Sequence, residues 1–124
     1  MSKAIVVESK IPMSLKDVVR YQVNLYCFIN KKRLSPAQQD CLSLLGLYGD
    51  MNISDFCEQI VDEEIFGNVQ TTRNFVVRCV KDGLIVKKGL GNKIICLNNE
   101  LNIITSGTIV LKHTIFHHVQ ESSK

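Results

Sequence analysis

The chain has 124 residues, of which 45% are hydrophobic and 22% are charged, and its formal net charge is +3. This length suits one domain with a real core, and the composition is ordinary for a globular protein. No apolar run approaches the roughly 20 residues of a membrane span, and the first residues lack the layout of a signal peptide. We therefore expect a cytoplasmic protein with no membrane partner.

Five cysteines occur, an odd number, widely spaced and without a C-x-x-C pair. Each falls on an apolar helical stripe or in an apolar strand. Such positions suit small core residues in a reducing compartment, since apolar surroundings disfavour the thiolate. We therefore expect no disulfide, no structural zinc site and no cysteine nucleophile. The cysteines are Cys27, Cys41, Cys57, Cys79 and Cys96.

Charge is distributed in blocks along the chain. Residues 1–48 carry seven bases and three acids, giving +4. Residues 50–64 carry six acids and no base, giving −6, and residues 69–93 carry six bases and one acid, giving +5. A local excess of bases suits contact with nucleic acid, whereas the alternative is a solvated helix face followed by a turn with lysines.

Capping residues place four helix starts along the chain, after an apolar run at residues 4–7 that suggests a short edge strand. Each cap precedes apolar residues at helical spacing, and the second is followed by proline and then, three residues after the cap, by glutamine. The caps are Ser14, Ser35, Asn52 and Asn68. The sequence thus predicts an N-terminal helix and then three helices in tandem.

Residues 69–97 combine a helix with a two-stranded ribbon. The helix has an apolar inner face and ends at Asp82. An apolar strand follows at residues 84–86, then a basic turn with two glycines at residues 87–93, then a second strand at residues 94–97. A helix followed by a basic ribbon can place the helix in the major groove of DNA and the ribbon tip on adjacent phosphates.

From residue 35 to residue 97 the chain resembles winged helix-turn-helix DNA-binding domains of bacterial and phage regulators and replication initiators. Residues 70–79 (QTTRNFVVRC) look like the recognition helix, residues 81–85 (KDGLI) like the turn that closes it, and residues 87–93 (KKGLGNK) like the wing. The resemblance implies an α+β winged-helix core that binds double-stranded DNA. The implied contact residues are Gln70, Thr71, Arg73, Asn74, Arg78, Lys81, Lys87, Lys88 and Lys93.

These residue types suit contact with bases and phosphates. Arg pairs with guanine and Asn or Gln with adenine through two hydrogen bonds, each pair giving about 1–3 kcal/mol of discrimination. Gln70 and Thr71, near the helix start, suit phosphate contact. The alternative is a polar solvent face followed by ordinary turn lysines. Two features depart from the family: the acidic helix that begins after Asn52, which is the second of the three tandem helices, and the additional C-terminal third of the chain.

Residues 98–119 predict a C-terminal β-hairpin beyond the winged-helix core. Residues 101–105 are strand-like, a turn follows, and residues 108–119 alternate with apolar groups on both faces. A long strand that is apolar on both faces needs covering, so we expect it to pack on another subunit or on the N-terminal segment. The hairpin and the N-terminal helix are the predicted oligomerisation elements of a single domain.

No pattern in the sequence indicates catalysis. There is no Gly-rich phosphate loop and no recognisable Ser/His/Asp set, and the acidic run at residues 62–64 lacks a second group of catalytic residues. In a strand, His113 and His117 would lie about 13 Å apart, too far to share a metal ion. We expect no enzyme activity, no cofactor and no metal site.

Two functions remain open. The first is a dimeric DNA-binding protein that acts as a transcriptional regulator or replication accessory factor. The second is a structural or adaptor subunit of a larger assembly, such as a phage particle, that uses the same fold for protein contacts. Three features favour the structural or adaptor function: the acidic helix after Asn52, the modest net charge and the strand that is apolar on both faces. A phage-encoded protein would be located in the host cytoplasm or in the virion.

Overall fold

The computed structural model describes residues 2–11, 13–105 and 109–118. Its helices are α1 (Leu15–Ile29), α2 (Pro36–Tyr48), α3 (Ile53–Asp62) and α4 (Val69–Lys81). Its strands are β1 (Ser2–Ile11), β2 (Met51–Asn52), β3 (Ile85–Lys88), β4 (Ile94–Leu97) and β5 (Ile109–His118). Short 3-10 turns span Leu90–Asn92 and Asn99–Leu101. The chain divides into a helical unit, Ser14–Thr105, and a terminal unit, Met1–Met13 with Ser106–Lys124.

All four helices begin at their predicted caps. The Ser35 hydroxyl accepts a hydrogen bond from the Gln38 N–H at 3.2 Å, and the Gln38 side chain accepts one from the Ser35 N–H at 2.9 Å. This is a complete capping box, which satisfies two backbone donors that the helix itself leaves open. In the other three caps, a side-chain oxygen accepts from backbone N–H groups of the first turn; these caps are Ser14, Asn52 and Asn68.

The helical unit is an α+β fold, as predicted, with four helices and a three-stranded antiparallel sheet. The sheet order is β2–β4–β3, and Met51 lies opposite Ile95. Strand β2 is not predicted from the sequence, because two residues are too few to show strand alternation. Side chains from all four helices and the sheet share one buried cluster, which includes Val19, Leu45, Phe56, Val76 and Ile95.

Helix α2 approaches α1 and the sheet closely at Gly46. A Cβ at this position would lie 2.9 Å from Val19 Cγ1 and 2.8 Å from Leu97 Cδ1. Val19 is fully buried and, being β-branched in a helix, has essentially one rotamer, so it cannot move aside. The absence of a side chain at residue 46 therefore sets the packing distance between these three elements.

We expect Gly46→Ala to destabilise the protein by about 1–2 kcal/mol. Overpacking costs about 1–3 kcal/mol, while the better helix propensity of alanine returns roughly 0.5–1 kcal/mol. Urea denaturation followed by circular dichroism measures the change. Gly67→Ala is the matched control, since a Cβ there meets nothing within 4 Å and should change stability by less than about 0.5 kcal/mol. Equal stability of the Gly46→Ala and wild-type proteins would contradict this packing.

In the terminal unit, β1 and β5 form a two-stranded antiparallel ribbon. The register places Ser2 opposite His118 and Glu8 opposite Lys112. Lys112 Nζ lies 3.1 Å from Glu8 Oε1, an exposed ion pair of the kind that contributes little to stability. Pairing with β1 bonds one edge of β5 but leaves Val110 and Phe116 51 and 66% exposed, so the expected covering of the apolar faces stays a prediction.

The predicted C-terminal hairpin is wrong. Residues 101–105 form no strand, because Leu101 ends a 3-10 turn and is 7% exposed in the core of the helical unit. The Ile104 N–H and carbonyl bond to the Gln22 side chain at 2.8 and 2.7 Å. This part of the backbone is thus already bonded, and β5 pairs with β1 instead. The predicted turn at residues 106–107 lies outside the described residues.

Candidate nucleic-acid interface

Helix α4 has one buried face and one exposed face, as the sequence predicts. Thr72, Phe75, Val76 and Cys79 are each at most 4% exposed. Phe75 meets Phe66 edge to face, with ring centroids 5.7 Å apart. Because the inner face is anchored in the core, the outer face keeps a fixed orientation. The exposed residues of this outer face are Gln70, Thr71, Asn74, Val77, Arg78 and Lys81.

Two amide side chains of the outer face are bonded to each other. Gln70 Nε2 donates a hydrogen bond to Asn74 Oδ1 at 2.9 Å, one helical turn away. This bond does not use the Asn74 amide NH₂ or the Gln70 carbonyl oxygen. A donor and an acceptor therefore stand close together, and an adenine edge in the major groove requires both.

Arg73 lies on the flank of α4 that faces α3. Its guanidinium donates a hydrogen bond to Ser54 Oγ at 2.9 Å, and the residue is half-buried. Ser54 belongs to the first turn of α3, where Asn52 caps the backbone. Arg73 therefore joins α4 to α3, whether or not it also contacts an anion.

A shallow depression borders the outer face near the start of α4. It is lined by Gln38, Phe66, Thr71, Asn74, Phe75 and Arg78. The Thr71 N–H donates to Asn68 Oδ1 at 2.7 Å, so the helix cap already occupies this donor. Thr71 would therefore meet a phosphate through its hydroxyl rather than through its backbone.

The β3–β4 hairpin has longer strands than the predicted wing. Strand β3 continues through Lys88, so Lys87 and Lys88 lie in a strand and the connection shortens to residues 89–93. Gly89 has a φ of +81°, which side chains disfavour, and Leu90 beside it is 98% exposed. The connection at the hairpin tip therefore has five residues and an exposed leucine, whereas the sequence predicts a basic turn of seven residues.

The three lysines of the predicted wing have different surroundings. Lys88 Nζ lies 2.7 Å from Asp50 Oδ2, and this hydrogen bond raises the pKa of Lys88. Lys87 and Lys93 are exposed and take part in no ion pair within the described residues. A phosphate would have to compete with Asp50 for Lys88, so two of the three lysines are better placed to bind it.

The hairpin is fastened to both neighbouring helices. Strand β2 pairs with β4, and the Ile53 N–H at the start of α3 donates to the Lys93 carbonyl at 2.9 Å. At the base of the hairpin, Asn98 Nδ2 donates to the Gly83 carbonyl at 2.9 Å, in the turn that closes α4. The position of the hairpin relative to α4 is therefore set by hydrogen bonds at both of its ends.

The acids of α3 form no ion pair with the bases of α4 within the described residues. Asp55, Glu58 and Asp62 follow at intervals of three and four residues and share one helical face, opposite the buried side chains of α3. No acid of α3 therefore has to be displaced before a partner contacts the bases of the outer face.

Three residues of this surface were not predicted. Ser54 contacts Arg73, Asp50 pairs with Lys88, and Gln38 borders the outer face of α4. All three approach from distant parts of the chain, and spacing patterns within one element carry no information on such contacts. Only Gln38 had a local indication, and that was its capping role.

The structure provides no further chemical centre in the part that it describes. There, no group of three His, Cys, Asp or Glu side chains could hold a metal ion, and no helix is long and apolar enough to cross a bilayer. The side chains of His113, His117 and His118 lie outside that part. No protein-family model matches the chain, and comparisons with curated proteins and with solved structures find no significant match.

Proposed function

We propose that this protein binds double-stranded DNA, with α4 in the major groove and the β3–β4 hairpin against a neighbouring phosphate backbone. One observation carries the proposal: Gln70, Asn74 and Arg78 are exposed on a helix whose other face is locked into the core. The major groove admits an α-helix, and amide and guanidinium groups match the donors and acceptors of its base edges. The protein would serve as a transcriptional regulator or replication accessory factor.

The order of the elements supports a winged-helix interpretation of the helical unit. Helices α2, α3 and α4 follow in tandem, and the β3–β4 hairpin comes directly after α4. This order resembles that of winged helix-turn-helix domains, and α4 stands in the position of their recognition helix. The hydrogen bonds that fix the hairpin to Ile53 and Gly83 suit a surface that contacts DNA at two places.

We expect Asn74→Ala/Arg78→Ala to bind DNA at least roughly thirtyfold more weakly than the wild type. Each base contact is worth about 1–3 kcal/mol, so the removal of two amounts to about 2 kcal/mol or more. Both residues are exposed, so the fold should persist. A preferred duplex is first selected from a random library, and fluorescence anisotropy then gives the affinity. Arg73 is left unchanged because its replacement would also disturb the contact between α3 and α4.

The contribution of the hairpin is measured by salt dependence. Lys87→Ala/Lys93→Ala should lower the slope of log affinity against log salt by about 0.9 for each phosphate that the variant no longer neutralises. Lys88→Ala should have a smaller effect, since Asp50 already pairs with that lysine. Lys10→Ala removes an exposed base that belongs to neither α4 nor the hairpin and should change nothing. No binding by the wild type at low salt, or equally weakened binding by the Lys10 and Arg78 variants, would contradict the proposal.

A protein-binding adaptor is the second candidate. The observation that favours it is that Leu90 and Val77, 98% and 44% exposed, place apolar side chains on or beside the same surface. Exposed apolar groups among polar ones are also found at protein interfaces. The anisotropy titration separates the two candidates, because a structural subunit of an assembly such as a phage particle need not bind DNA.

A further inference from the structure

Helix α1 carries an apolar row on its outer side. Tyr21, Leu25, Phe28 and Ile29 are 37, 45, 82 and 66% exposed. With half-buried Val18 they recur every three or four residues, the spacing of one helical face and of a seam between two helices. Single exposed apolar residues are normal on a protein surface, but a continuous row of large ones indicates a face that is covered by a partner.

Ile104 widens this apolar row on one side. The Gln22 side chain holds the Ile104 backbone through two hydrogen bonds, of 2.7 and 2.8 Å. The Ile104 side chain is 57% exposed. Gln22, Leu25 and Ile29 share one side of α1, since they follow at intervals of three and four residues. The apolar surface therefore extends beyond a single line of side chains.

We infer that a second copy of this chain covers the apolar row, with the two α1 helices antiparallel. The row contains no charged residue, so two copies can meet there without burying an unpaired ion. Asp17 lies one turn before Tyr21, and the other end of α1 is followed by the bases at residues 31–33. An antiparallel pair brings Asp17 of each copy toward the bases of the other, whereas a parallel pair brings like charges together.

Two-fold symmetry determines which side chains meet. If the helices cross near residue 23, Phe28 of each copy packs against Val18 of the other, and Leu25 packs against Tyr21. Phe28 is the most exposed member of the row and therefore gains most from burial. One helix of 15 residues makes a small interface, so the dimer should be reversible, with a dissociation constant on the order of micromolar.

Sedimentation equilibrium of the full chain, without DNA, tests the inference. At high concentration the wild type should have twice the monomer mass of 14.0 kDa, and on dilution it should return to the monomer mass. Phe28→Glu and Leu25→Glu should each raise the dissociation constant at least about tenfold while the circular dichroism spectrum stays unchanged. Leu90→Glu is the control, because it alters an even more exposed apolar residue outside the row and should leave the dimer intact.

Charge reversal tests the antiparallel arrangement. Asp17→Lys should weaken the dimer a few-fold, and Lys31→Glu/Lys32→Glu introduced into that variant should restore it. A wild type that is monomeric at all concentrations would overturn the inference and leave the row to a different protein. A dimer that survives Phe28→Glu and Leu25→Glu would overturn it as well. DNA is absent from these measurements, so their outcome is independent of the proposed DNA binding.

Discussion

Phe56→Ala is expected to lower the free energy of unfolding by about 3–5 kcal/mol. Phe56 lies in α3, is fully buried, and belongs to the cluster that joins the helices to the sheet. Its truncation removes the buried ring and leaves a cavity that a closely packed core fills only in part. Domains of this size are stable by about 5–15 kcal/mol, so much of the margin would disappear. Urea denaturation followed by circular dichroism measures the change.

Phe28→Ala is the matched control for this experiment. It makes the same substitution at a side chain that is 82% exposed, so it should change the stability of the monomer by less than about 0.5 kcal/mol. The measurement is made below the concentration at which a dimer would form. Similar destabilisation of the two variants would contradict the burial of Phe56 in the core.

Raising the pH above 9 is expected to destabilise the protein through two buried thiols. Burial raises the pKa of Cys41, and it is also the main cause that raises the pKa of Cys79 from 9.0 to about 12. The folded state keeps these protons at a pH where the unfolded chain releases them. The stability that comes from keeping these thiols protonated is therefore fully present below pH 9 and is lost as the pH rises to about 12. For Cys79 this loss of unfolding free energy is on the order of 4 kcal/mol.

Urea denaturation in the presence of a reductant at several pH values between 8.5 and 11.5 measures this dependence. Cys41→Ala/Cys79→Ala should be less stable at neutral pH but should lose stability less steeply above pH 9. Cys96→Ala, at a half-buried position, should retain most of the wild-type slope. The three proteins share all other ionisable groups, so a difference in slope reports the replaced thiols. Identical slopes for the double variant and the wild type would show that these thiols do not control alkaline unfolding.

The helices were predictable because the residues that start them are local. Ser35 and Gln38 form a capping box within four positions, and apolar spacing identifies the buried face of α4. The β1–β5 ribbon was harder to predict, since it joins segments from opposite ends of the chain and alternation does not specify a partner. The hairpin prediction failed at Ile104, where a side chain, Gln22, binds the backbone that a neighbouring strand was expected to bind.

The candidate interface was predictable only in part, for the same reason. Helical periodicity alone places Asn74 and Arg78 on an exposed face, and the structure agrees. The same pattern treats Arg73 and Lys88 as equivalent to the other bases, yet one bonds to Ser54 and the other to Asp50. Charge counted along the sequence therefore overstates the number of cations free to bind phosphate.

Strand β1 ends at Ile11, and β5, the strand that pairs with it, begins at Ile109. During synthesis, β1 therefore leaves the ribosome roughly a hundred residues before β5. At about 5–20 residues per second, this interval lasts on the order of 5–20 s. The whole helical unit emerges within it, while the hydrogen-bonding edge of β1 has no native strand to pair with. An open edge of this kind can bind a chaperone, or the β5 of a neighbouring nascent chain on the same message. Strand exchange between such chains would give linked pairs whose formation depends on how densely ribosomes occupy the message.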